Sequence, residues 1–158
     1  MSKEEIREYY ESCLLSLLTA MDVAGRKIAG PAGEVYLREV GYALSEVGFK
    51  KLPRVKTVEE ACEVLQSLWK KLRVVGEIKV KSIRRLDGKV EVILGFHGSN
   101  CSKTVEERNL ERGASPLCRL SMYFMERNFS RLLGTRSVTV SFEGYENGVC
   151  YEKIVIRR

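Results

Sequence analysis

The sequence predicts an α+β domain in which three helices precede a four-stranded antiparallel sheet, with a fourth helix between its two hairpins. Three observations predict it. Apolar residues recur every three to four positions up to about residue 72, then alternate every second position from residue 78. Asp87-Gly88 sits between two alternating runs, which is a hairpin signal. Ser115-Pro116 then opens a second helical run, which stops at Gly134 before another alternating pair.

The elements follow in order. Ile6, Tyr9, Tyr10, Cys13, Leu14, Leu17, Leu18 and Met21 make residues 3–24 an amphipathic helix, and Gly30-Pro31 punctuates it. Val35, Tyr36, Val40, Ala43, Leu44 and Val47 give a second helix over 32–47, stopped at Gly48. Beyond a basic stretch from Lys50 to Lys56, Thr57-x-x-Glu60 is a capping box for a third helix. Val58, Ala61, Cys62, Leu65, Leu68, Trp69 and Leu72 share one of its faces, and it ends near Gly76. The first hairpin spans Glu77 to Phe96: Ile78 and Val80 alternate with Lys79 and Lys81, then Val90, Val92, Leu94 and Phe96 with Glu91, Ile93 and Gly95. Residues 98–114 read as a long polar loop, with Thr104-x-x-Glu107 able to cap one short helix within it. Leu117, Leu120, Ser121, Phe124, Phe129 and Leu132 face one way along the fourth helix, and strands begun by Val138 and Val149 form the second hairpin. The helices should cover one sheet face, leaving the lysine-bearing face wet.

At 158 residues the chain suits a single domain, 1–158. Its 44% apolar and 30% charged residues suit a soluble globule, and no apolar run approaches a membrane span. The N-terminus is charged, so no secretory signal is expected. Cysteines 13, 62, 101, 118 and 150 are odd in number and form no CxxC pair, which points to reduced thiols in a cytoplasm. Cys13 and Cys62 lie on apolar helix faces and read as small core hydrophobes. The net charge of +6 is interspersed with acidic residues, as on a solvated surface.

The helix ending at Gly76, the hairpin 77–96, Pro116-x-Cys118 opening a helix that closes in Leu132-Leu133-Gly134, and Val138-x-Val140 with Gly148-x-Cys150 and Ile154-x-Ile156 together resemble the 4-vinyl-reductase, or hydrocarbon-binding, domain family. Its fold is shared with subunits of the TRAPP trafficking complex. The resemblance covers 32–158, and 116–156 most specifically. It implies a domain that holds a small apolar or aromatic molecule between helices and sheet: a phenol-like effector in members fused to transcription activators, an acyl chain in TRAPP subunits. It also implies zinc bound through cysteines, with Cys118 and Cys150 matching two of them. Phe142 stands where a third cysteine is expected. Glu143 beside it offers an oxygen, which leaves three ligands unless Cys101 or His97 joins.

The residues themselves leave several readings open. Cys118 at a helix N-terminus favours thiolate, yet no closely spaced ligand pair exists, so inert thiols compete with zinc. His97, just after Phe96, can exchange a hydrogen bond with a ligand head group or simply lie on the surface. Trp69 can stack on an aromatic ligand or pack in the core. Met122, Phe124 and Met125 suit either an adaptable pocket wall or plain core. No nucleophile–base–orienter set and no phosphate loop is evident, so the chain reads as non-enzymatic. The competing class is nucleic-acid binding through Lys50, Lys51, Arg54 and Lys56 in loop 50–56, with Arg119, Arg127, Arg131 and Arg136 on or after helix 116–133 and Tyr145 and Tyr151 as exposed aromatics. The preferred expectation is a sensor or adaptor for a small hydrophobic molecule, with the 98–114 loop as its lid and homodimerisation through the N-terminal helix, 1–30, as its output.

Overall fold

Polarity period and capping chemistry divide the chain as the sequence reading expects. The computed structural model describes residues 2–72, 76–107 and 109–157. Its helices are α1 (Lys3–Ala29), α2 (Gly33–Gly48), α3 (Val58–Leu72), α4 (Asn100–Glu107) and α5 (Pro116–Leu133), and its strands are β1 (Glu77–Leu86), β2 (Lys89–His97), β3 (Val138–Glu146) and β4 (Val149–Arg157). The helix starts are chemically specified. Ser2 and Glu5 form a reciprocal capping box on α1. The Glu60 amide donates to Thr57 Oγ1 at 3.2 Å on α3, and the Cys118 amide donates to Ser115 Oγ at 3.3 Å on α5, where Pro116 takes the first turn. In the 98–114 segment a real helix forms, one turn earlier than Thr104 suggested. Ser99 caps it, accepting from the Ser102 amide at 3.2 Å.

The sheet is antiparallel throughout, in the order β1-β2-β4-β3. The two hairpins therefore meet along β2 and β4, with Leu94 of β2 and Phe142 of β3 flanking Glu152 of β4. Residues shift register between Val80 and Ser82 in β1 and between Phe142 and Gly144 in β3, so both edge strands carry a bulge. One face is apolar: Ile78, Val90, Val92, Leu94, Phe96, Val138, Ile154 and Ile156 are all buried in one cluster with residues of α3 and α5.

The helices do not all reach that face. α3 and α5 cover it, α2 lies on the back of α5, and α1 lies chiefly on α2. This departs from the expectation that the first helices close the sheet. α2 buries Gly33, Leu37, Gly41 and Ser45, a row at every fourth residue dominated by small side chains. At Gly41 the backbones approach so closely that a β-carbon would stand 2.7 Å from Tyr123 Cβ and 3.3 Å from the Leu120 carbonyl oxygen. Most of the described apolar side chains of α1 are exposed, and Cys13, expected in the core, is among them. Cys62 is buried as expected, and burial pushes its thiol to about 12, out of reach of redox chemistry at neutral pH. Among the described residues, no helix is long and apolar enough to cross a membrane.

Because the Gly41 contact is with main chain and a β-carbon, neither helix can yield without displacing the other. Gly41→Ala should lower stability by about 1–3 kcal/mol despite its better helix propensity, read as a fall in the chemical-denaturation midpoint. An unchanged or raised midpoint would mean that α2 and α5 do not touch at this point.

Candidate functional site

β4 alternates sides, so the inward positions that place Ile154 and Ile156 in the core also point Cys150 and Glu152 inward. Toward one end of the sheet, α3 and α5 part and α4 with the following loop closes the gap. A cavity of about 40 Å³ remains there. Trp69 from α3, Phe96 from β2 and Phe142 from β3 give it aromatic walls, and Met122, Ser121 and Cys118 come from α5. Ser99, Ser102 and Val105 of the α4 region form the cover with Arg112 of the loop behind it. That loop presses on the wall: a β-carbon at Gly113 would stand 2.7 Å from the Phe142 ring, and Gly113 has φ of +77°. Arg112 is fixed at the rim by a 3.0 Å bond to Ser102 Oγ and by stacking 3.5 Å over the Tyr145 ring.

Two of the residues that line the cavity each carry a buried polar atom with no hydrogen-bond partner among the described residues. Glu152 is almost fully buried; Ser121 Oγ donates to its Oε1 at 3.0 Å, whereas Oε2 has no partner among the described residues. Trp69 Nε1 likewise has no acceptor among them. The Trp69 ring is itself held firmly, edge-on to Phe96 and Phe124 at centroid distances of 6.0 and 5.7 Å. Burial pushes the Glu152 carboxyl up from 4.5 to about 7, with the Ser121 hydrogen bond opposing the rise. At neutral pH the carboxyl therefore switches between donating and accepting at little cost.

The expected site residues separate as follows. Trp69, Phe96 and Met122 line the cavity. Phe124 sits behind, its ring 5.5 Å from Phe49, and Met125 is wholly buried in the core. His97 must be corrected: strand alternation turns it away from Phe96 onto the opposite sheet face, where its Nε2 lies over Gly95 near Tyr151 and Val149. Glu143 is corrected too. It lies on the outer side, paired with Lys153 at 3.0 Å, one step along the strand from inward Phe142. Cys118 and Cys150 both line the cavity. The side chain of Cys101 lies outside the described residues. Among the described residues, no three His, Cys, Asp or Glu are grouped closely enough to hold a metal. Glu152 and Arg112 escaped the sequence reading, which named Ser121 and Phe142 but not as cavity residues. For Glu152 the signal existed, since it shares the alternation of Cys150, Ile154 and Ile156.

The basic residues offered for nucleic acid have internal work on α5. Arg119 bonds Asp22 at 2.9 Å and also Glu34; Arg127 bonds Glu46; and Arg131 donates to the Ser45 and Phe49 carbonyls, both at 2.7 Å. Lys50, Lys51, Arg54 and Lys56 are exposed.

No protein-family model and no curated protein matches the chain. A solved structure does share its fold. This is the phenol-responsive sensory domain of the transcription activator PoxR with phenol, superposing at a TM-score of 0.51 over 88% of this chain and 74% of that one. Sequence identity is 14%, so the likeness is one of fold.

The raised carboxyl fixes the direction of a pH effect. Between 4.5 and about 7 the folded chain holds a proton on Glu152 that the unfolded chain has lost, so stability falls as pH rises through that window. The window is worth about 3 kcal/mol, and Glu152→Gln should abolish that part of the slope and stabilise the protein at pH 8. Denaturation midpoints at pH 5 and pH 8 check this. A variant with the wild-type slope would place the carboxyl in contact with water.

Proposed function

We propose that the chain is a 4-vinyl-reductase-like domain that binds a small, mainly aromatic or apolar molecule carrying a hydroxyl group, and that it acts as a sensor or adaptor without chemistry of its own. The observation that carries this reading is that two residues lining one cavity, Trp69 and Glu152, each carry an orphaned polar atom, Nε1 and Oε2. A buried polar atom without a partner costs on the order of 1–3 kcal/mol. A hydroxyl group can serve both, because its oxygen accepts from the indole N–H while its hydrogen goes to the carboxylate. The aromatic walls supply the remaining contact by burial of the ring. The fold shared with a domain described as phenol-responsive is consistent with a ligand of this kind.

The unliganded cavity of about 40 Å³ is well below the roughly 150 Å³ of a cavity that accepts benzene. A ring therefore enters only as a side chain yields. Met122, unbranched and half-buried on the wall, is the residue best able to do so, and the cover formed by α4 and Arg112 is the route.

Titration with phenol, p-cresol and toluene, followed by thermal shift and calorimetry, tests the assignment. Phenol and p-cresol should raise the melting temperature, and toluene should bind at least about 10-fold more weakly for want of the two hydrogen bonds. Trp69→Phe and Glu152→Leu should each cost phenol about 10-fold in affinity. The reading fails if no small aromatic at millimolar concentration shifts the transition and native mass spectrometry of the purified chain shows only its own mass.

A further inference from the structure

We propose that the ligand of this cavity carries a carboxylate as well as a hydroxyl group, and that Arg112 at the rim receives it. The inference rests on the ligand reading above but draws on other residues. The cavity has aromatic walls, whereas its cover is largely polar: Ser99, Ser102 and Arg112 line it beside Val105. A cover that served only to keep water out would be apolar, because a buried polar group costs free energy unless it is bonded. Two of the three have internal work. Ser99 caps α4, and Ser102 Oγ accepts from Arg112 Nη1 at 3.0 Å. Arg112 is left to be explained.

Its guanidinium is already placed for an anion. The side chain is 23% exposed and is fixed by the Ser102 bond and by the Tyr145 ring, whose centroid lies 3.5 Å away. Its other partner among the described residues is Glu106, with Oε2 3.5 Å from Nη2. That contact is long and the Glu106 side chain is 67% exposed, so a second carboxylate displaces it at little cost. Glu106 also takes a 3.5 Å contact from the Tyr145 hydroxyl, which keeps a carboxylate close to the rim when no ligand is bound. A guanidinium holds several N–H donors in a planar fork matched to a carboxylate, and one firm bond leaves most of them for a ligand.

The two polar ends of the ligand are assigned by charge. Glu152 comes from the sheet and Arg112 from the cover, so hydroxyl and carboxylate belong at opposite ends of an aromatic ring. Repulsion by Glu152 keeps the ligand carboxylate on the side of Arg112.

Calorimetric titration at neutral pH with phenol, benzoate and para-hydroxybenzoate separates the two groups. Para-hydroxybenzoate should bind at least about 10-fold more tightly than phenol. Arg112→Gln should bring the two ligands within about 3-fold of each other, and Glu106→Gln, which removes the competing carboxylate, should widen the ratio. Para-hydroxybenzoate no tighter than phenol overturns the proposal, and so does a ratio that Arg112→Gln leaves as it was, which makes Arg112 a cover residue only. If Arg112→Gln does not fold, Glu106→Gln decides alone, and an unchanged ratio counts against the proposal. Benzoate tells this failure from that of the ligand reading. Benzoate bound by the unaltered chain and lost in Arg112→Gln, with phenol not bound, removes the hydroxyl contact at Trp69 and Glu152 and keeps Arg112. Binding of none of the three ends both.

Discussion

An 18-residue helix placed between a sheet and a second helical layer has no solvated side on which to leave polar groups, and α5 is such a helix. Its sheet side carries Met125, Phe129 and Leu132, all wholly buried. Its other side carries Arg119, Tyr123, Glu126, Arg127, Asn128 and Arg131, and each of these finds a partner on α1, α2 or the turn after α2. Arg131 closes the carboxyl end of α2 by binding its last carbonyls, and Asn128 meets Ser45 at 2.6 Å in the dry interior. Among the described residues, the N-terminal helices are therefore attached by hydrogen bonds and ion pairs specific to position, over a contact of small residues on α2. Charged side chains that look in sequence like a surface for phosphates are, in the fold, the joints between two layers.

The same helix sets where the cavity lies. α3 and α5 cover the sheet closely where Leu65, Phe129 and Leu132 interlock with Val92 and Ile154, all at most 1% exposed. Toward the first turns of α5 the side chains shrink to Cys118 and Ser121, and strand β4 presents Cys150 and Glu152 against them. Two short thiols, a hydroxyl and a carboxyl do not fill the space that leucines would, so a gap opens at the end covered by α4 and its following loop. Among the described residues of α4, Val105 is the apolar side chain that reaches the interior.

Most of the fold was legible because period and punctuation act locally. Thr57-x-x-Glu60, Ser115-Pro116, Asp87-Gly88 and the alternation of β2 and β4 specify their elements without help from distant residues. What was not legible depends on layers. Nothing in the spacing of Gly33, Leu37, Gly41 and Ser45 says that the row faces α5 and not the sheet, and Cys13 is exposed because it shares a face of α1 with Leu17, Ala20, Ala24 and Ile28, all of them exposed. In the site, Trp69, Phe96 and Met122 could be named because they are apolar residues on inward faces. His97 and Glu143 were misplaced by one step of a strand, a step at which the period of two reverses the face, and in β3 a bulge intervenes. Glu152 was passed over since a carboxylate on an apolar face looks like an outward residue until its neighbours on both strands are known.

Glu152 is also the hardest residue to explain by stability alone. Its two cross-strand neighbours are Leu94 and Phe142, and no cation pairs with it among the described residues. A leucine there would pack on the same neighbours without the desolvation that lifts the carboxyl to about 7. Trp69 poses the same problem more mildly, since a phenylalanine would keep its ring contacts and leave no orphaned N–H. Two such residues, on different elements and each with an unmet polar atom, line one small cavity. On the function proposed above, a ligand hydroxyl group between the aromatic walls would meet both with one contact.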